Sequence, residues 1–295
     1  MKVTALFLSL LSLTVHASAE SVYLGVLTEA RYSDETASKI LFVKKGKKWL
    51  SVANEFFREG DPDVGPIKWT VAFDGRKLGE LRIEEPDPEA TVINQWNYSL
   101  ARFFEVKANQ EIPKVANKSK QFGGWTKVPE YRPLVLVSKP YFSDPEHWQP
   151  FVVDEDLRKK LFVPLKLVMG RFSAFNCPDG PYVNETVPFD FKLEDVVFYK
   201  SYASSNGQKI VALGMDRKKY GCDGVWPASW ADNWFLIEGD NLDYIGREMT
   251  LVDAGDYDND GKSELLFWYS SYSRDGYILM YDSFREKSQF LWGSH

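Results

Sequence analysis

Short runs of β-branched and aromatic residues, cut at near-regular spacing by Gly, Pro, Asp and Asn, restrict this chain to an all-β fold. Early runs fall at 22–26, 40–43 and 49–52, and the last two flank a Lys44-Lys45-Gly46-Lys47-Lys48 hairpin tip that reads as a solvated turn. The run at 68–73 meets Asp74-Gly75, a two-residue hairpin signal, and returns over 78–83. Later runs lie at 133–137, 165–169, 196–199, 210–213, 234–237, 249–252, 264–269, 277–281 and 288–292. A helix is expected over 154–162, with acidic residues at its start and Pro164 as a stop, and a second over 96–106. The polar, Pro- and Gly-rich stretches 107–130 and 174–190 read as long loops.

The first residues, MKVTALFLSLLSLTVHASAE, combine a positive end, a short apolar stretch and Ala17-Ser18-Ala19, a small-x-small cleavage pattern. That is a signal peptide over 1–19 rather than a membrane span. An exported protein is expected, periplasmic or extracellular, with residues 20–295 forming one β-rich domain. No later stretch is long and apolar enough to suggest a membrane-spanning helix. The net charge of −6 speaks against nucleic acid, whose binding needs clustered Lys and Arg.

Export places Cys177 and Cys222 in a disulfide-permissive compartment, and both sit among turn residues, so a bond between them is expected. Beyond residue 19 only His147 and His295 remain. A His-rich zinc site is therefore excluded, and a Ser-His-Asp arrangement has to rest on one of these two.

One segment carries recognisable chemistry: Asp253-Ala-Gly-Asp256-Tyr-Asp258-Asn-Asp260-Gly261-Lys262-Ser-Glu264, between two apolar runs. Carboxylates at alternate positions followed by Gly let a tight loop wrap one hard cation with oxygen ligands. Asp256, Asp258 and Asp260 supply side-chain oxygens, Lys262 its backbone carbonyl, and Glu264 closes the shell. So many acidic groups repel one another without a cation, which makes Ca2+ the expected cofactor. An EF-hand or dockerin loop is excluded, because the twelfth position counted from Asp256 is Phe267 and both flanks are strand-like.

The spacing of Asp256, Asp258, Asp260 and Gly261 before Leu265-Leu266-Phe267 resembles the calcium loop of FG-GAP (VCBS-type) repeats. These form the β-propellers of integrin α chains and many bacterial surface proteins. Glu264 stands where that family usually has Asp. The resemblance covers about twenty residues. It implies an irregular β-propeller like the integrin α N-terminal domain, with a β-sandwich as the alternative. A faint internal repeat points the same way: Trp69 to Leu78 aligns with Trp234 to Leu242, each a strand, an acidic-Gly turn and a return strand with Leu facing inward.

Other polar groups read as structure. Asp144, Glu146 and His147 suggest a surface turn fixed by Pro145, and Trp226, Trp230 and Trp234 suggest core. The expected function is that of a calcium-stabilised scaffold binding a protein or glycan. The alternative is a secreted or periplasmic hydrolase acting on glycans, which needs a pair of converging carboxylates; no motif here supplies one.

Overall fold

The computed structural model describes residues 21–29, 36–52, 67–83, 91–92, 101–105, 132–169, 173–175, 186–188, 191–215, 232–271 and 274–293. Residues 1–19, expected to form a signal peptide, and Cys177, Cys222, Trp226, Trp230 and the stretch 107–130 lie outside these residues. Within them the chain is predominantly strand, as the sequence leads one to expect, and the strands form three main antiparallel sheets, none of them closed.

The first sheet takes β1 (Val22–Glu29), β2 (Thr36–Lys45), β3 (Lys48–Ser51), β4 (Ile67–Phe73), β5 (Arg76–Ile83), β6 (Thr91–Val92), β7 (Ala101–Glu105) and β8 (Leu134–Val137). Its order is β5-β4-β8-β1-β2-β7-β6, with β3 also on β2. Leu134 to Val137 is a continuous apolar run and is buried throughout, because β8 lies between β1 and β4. Residues 101–105, expected to be helical, form β7 against Ala37 to Lys39 of β2. Cross-strand pairing there overrides the local preference.

β9 (Gln149–Pro150), α1 (Glu155–Met169), β10 (Ser173–Phe175) and β11 (Thr186–Pro188) follow; β10 and β11 pair, so 174–190 is not wholly loop. The second sheet contains β12 (Val196–Ala203), β13 (Lys209–Met215), β14 (Asn233–Glu238) and β15 (Asn241–Arg247) as a meander, with β9 on the β12 edge. The third is the meander β16 (Met249–Gly255), β17 (Glu264–Ser270), β18 (Arg274–Tyr281) and β19 (Glu286–Gly293).

The expected strand over 165–169 is helix instead, since α1 continues through Pro164. Asp154 caps its start by accepting the Leu157 N–H at 2.8 Å. Leu157, Leu161, Leu165 and Met169 recur every fourth residue and bury one face against Val211, Leu213, Phe235 and Ile237. Burying Leu165 and Met169 along that stripe outweighs the cost of one interior proline, about 3 kcal/mol.

The period-two alternation of β13 and β14 explains how the layers stack. Val211, Leu213, Phe235 and Ile237 face α1, while Ile210, Ala212, Trp234 and Leu236 face Leu251, Leu265, Phe267, Ile278 and Met280 of the third sheet. The third sheet's other face, with Leu266, Trp268, Tyr277, Leu279 and Phe290, packs on Leu24, Phe42, Trp49, Trp69 and Val71 of the first. The third sheet thus lies between the other two.

The two segments of the internal repeat are both hairpins, β4–β5 turning at Asp74-Gly75 and β14–β15 at Gly239-Asp240. Each carries a bulge, between Val71 and Ala72 near the turn in one and between Trp234 and Phe235 at the start of the other, and Trp69 and Trp234 are both buried. Leu78, expected inside, is 39% exposed on the outer strand.

Candidate metal loop and the junction around it

Residues 256–263 connect β16 to β17, where Gly255 pairs with Glu264 across the hairpin. One carboxylate oxygen from each of Asp256, Asp258 and Asp260 lies within 4.8 Å of the other two. The loop holds them there with its own amides. Asp256 accepts the N–H groups of Asp260 at 3.0 Å and Gly261 at 2.8 Å, and Asp260 accepts that of Lys262 at 2.9 Å. Gly261 has φ of 88°, a left-handed turn that favours glycine directly after the third carboxylate.

Glu264 lies outside the triad and accepts the Tyr257 N–H at 2.8 Å. Its carboxyl is held well above the usual range, chiefly by burial and next by the charge of Asp258. Burial also raises Asp256, aided by the charges of Asp258 and Asp260, while the Gly261 and Asp260 amides oppose the rise. The loop therefore gathers negative charge that a divalent cation would neutralise. Asp256, Asp258 and Asp260 fit a hard cation by donor type and spacing, with Glu264 adjacent and Lys262 exposed on the rim.

A connecting segment clamps the loop. Asp256 donates its N–H to the Ser143 carbonyl at 2.9 Å, and the Phe142 ring stacks on the buried Tyr257 with centroids 5.7 Å apart. Gly255 makes this approach possible, since a Cβ there would sit 2.3 Å from Phe142 Cζ. Asp144 does lie in a turn, but a buried one. Its Oδ1 accepts from Ser263 Oγ at 2.5 Å and the Glu146 N–H at 3.2 Å, and its Oδ2 from the Trp148 N–H at 2.6 Å. Glu146 in turn accepts from Trp148 Nε1 at 3.1 Å and Asn206 Nδ2 at 3.3 Å, reaching the β12–β13 turn. Ser143 also bridges to Arg76 of the first sheet. His147 is exposed, with φ of 52°.

Asp144 therefore anchors to Ser263 a segment whose neighbouring residues Ser143 and Glu146 reach the other two sheets. Asp144→Ala strands three donors and is expected to lower unfolding free energy by about 2–3 kcal/mol. Urea denaturation measures this; a change below about 0.5 kcal/mol would mean the segment is merely a surface turn.

Sequence reasoning gave no role to Arg132 or to Asp253. A bulge between Leu251 and Asp253 inserts one residue, so that Ala254 rather than Asp253 shares the face of Leu251. Asp253 is turned instead toward the first sheet, where its Oδ1 accepts from Arg132 at 3.1 Å and the Gly75 N–H at 3.2 Å. The Arg132 guanidinium also donates to Asp74 and the Val252 carbonyl and lies 4.1 Å from the centre of the Phe73 ring. Burial pushes Asp253 up to about 7, against the opposing pull of Arg132 and the Gly75 amide. The available signal was the polar residue itself: an Asp within Leu-Val-Asp-Ala, in a strand buried on both faces, requires a partner.

Comparison of the chain with protein-family models, with curated sequences and with solved structures finds no match in any of the three. No helix among the described residues is long and apolar enough to cross a membrane.

Proposed function

We propose that this protein is an exported, calcium-stabilised scaffold, an irregular β-propeller of the FG-GAP type that presents its loops to a protein or glycan. The observation that carries this reading is the position of the Asp256, Asp258 and Asp260 triad. It occupies a hairpin turn between buried strands and is held by a segment that also reaches neighbouring sheets. An ion there acts by its charge, joining carboxylates that otherwise repel, and so ties the loop to the clamp around it. Two consecutive four-strand meanders and the packing of the third sheet between the other two support blades stacked face to face. The hydrolase alternative gains little from the pair that Arg132 joins, Asp74 and Asp253, because Asp253 is only 2% exposed.

Asp260 gives the cleanest test, since it is exposed and its hydrogen bonds among the described residues are local to the loop. Calcium is expected to raise the melting temperature of the wild type by several degrees at saturating concentration, because it binds only the folded state. Asp260→Asn should abolish that rise while melting like the wild type in chelator. Equal calcium shifts in both proteins would rule the loop out as the binding site.

A further inference from the structure

The lysine hairpin reads as solvated, and Lys45, Lys47 and Lys48 are indeed exposed, but Lys44 is not. It stands on β2, paired across the hairpin with Trp49, and its ammonium lies 5.4 Å from the Trp49 ring centre and 5.7 Å from that of Tyr281. From there it forms an ion pair with Asp258, and the two side chains are 15% and 4% exposed. A cation from the first sheet has thus been drawn into the acid triad of the third. The same charge acts on the neighbouring Glu264 carboxyl, opposing the rise caused by burial.

We propose that Lys44 is an intramolecular competitor for the calcium ion. Resting on the calcium reading of the loop, this assigns to the loop a regulator that lies more than two hundred residues away in sequence. Without metal, the ammonium neutralises Asp258. With metal, it either gives up that carboxylate or stays beside a divalent cation in a largely desolvated site, and both alternatives oppose binding. The Trp49 and Tyr281 rings offer the displaced ammonium a second, weaker resting place. Linkage makes the effect reciprocal: calcium loosens the tie between β2 and the loop by the same factor as Lys44 weakens calcium.

The test uses the full chain stripped with chelator, with CaCl2 titrated calorimetrically and melting followed with and without the ion. Lys44→Met is expected to melt lower than wild type without calcium, to bind calcium at least ~10-fold more tightly, and to show a larger calcium-induced rise. Lys44→Gln reads the same affinity gain with a polar end left against Asp258, should the Met variant fold poorly. Lys44→Arg keeps the charge and should stay within about twofold of wild type, as should Lys45→Met on the exposed tip. Unchanged or weaker calcium binding in both neutral variants, with the wild type binding normally, overturns the competition and leaves the calcium site standing. No calcium response in the wild type or either neutral variant overturns the calcium reading and this inference with it.

Discussion

Replacing Arg132 by Met is expected to destabilise the protein by about 3 kcal/mol at neutral pH. One guanidinium serves Asp74 at the β4–β5 turn, Asp253 on β16, the Val252 carbonyl and the face of Phe73. The Asp74 arm contributes little, since that side chain is half exposed and screened by water. The Asp253 and Val252 arms lie in the interior between two sheets, and both lose a donor at once. Asp253 then responds by taking up a proton rather than remaining a bare buried charge, which limits the loss. For a chain of this size the melting temperature should fall by roughly 6–12 °C. The double variant Arg132→Met, Asp253→Asn should be more stable than the sum of the two single effects predicts, because the partners are coupled. Thermal and urea unfolding of the four proteins measure the cycle; strict additivity would show that the pair carries no interaction across the sheets.

The second large effect is a dependence on pH. Asp253 titrates near 3.9 in an unfolded chain and at about 7 in the folded protein. The folded state therefore binds the proton more strongly. The stabilisation from this group is complete below about pH 4 and is lost as pH rises through 7. Three pKa units correspond to about 4 kcal/mol, an upper figure for one fully buried group. Asp253→Asn removes the titration while keeping an oxygen for the Gly75 amide. The difference in stability between wild type and Asp253→Asn should thus shift against the wild type between pH 4 and pH 8. Glu264 and Asp256 are raised as well and add the same sign to both proteins, so they cancel in the comparison. A difference that stays flat across this range would place the Asp253 carboxyl near its ordinary value and make Arg132 its dominant neighbour.

Much of this architecture can be read from local pattern. The alternation at 210–213 and 234–237 separates the face turned to α1 from the face turned to the third sheet, and the Asp74-Gly75 turn falls where its dipeptide indicates. What local pattern lacks is the identity of distant partners. Pro164 is a stop signal in isolation, yet the stripe of Leu157, Leu161, Leu165 and Met169 carries the helix through it. Residues 101–105 become strand only because β2 offers an edge. The triad at Asp256, Asp258 and Asp260 was legible because its spacing is local, whereas the Lys44–Asp258, Arg132–Asp253 and Ser263–Asp144 pairs each join residues 119 or more positions apart. A bulge that turns Asp253 by one position leaves no mark in the sequence beyond an acid in an apolar strand.

The central claim is that a cation belongs in the 256–264 loop as a structural staple. The most direct test is an anomalous difference map from crystals grown with calcium. The account predicts one peak per chain, about 2.3–2.6 Å from oxygens of Asp256, Asp258 and Asp260 and the Lys262 carbonyl, with protein filling most of the coordination shell. A peak elsewhere, an empty loop at saturating calcium, or an ion whose open positions face a substrate cleft would contradict it.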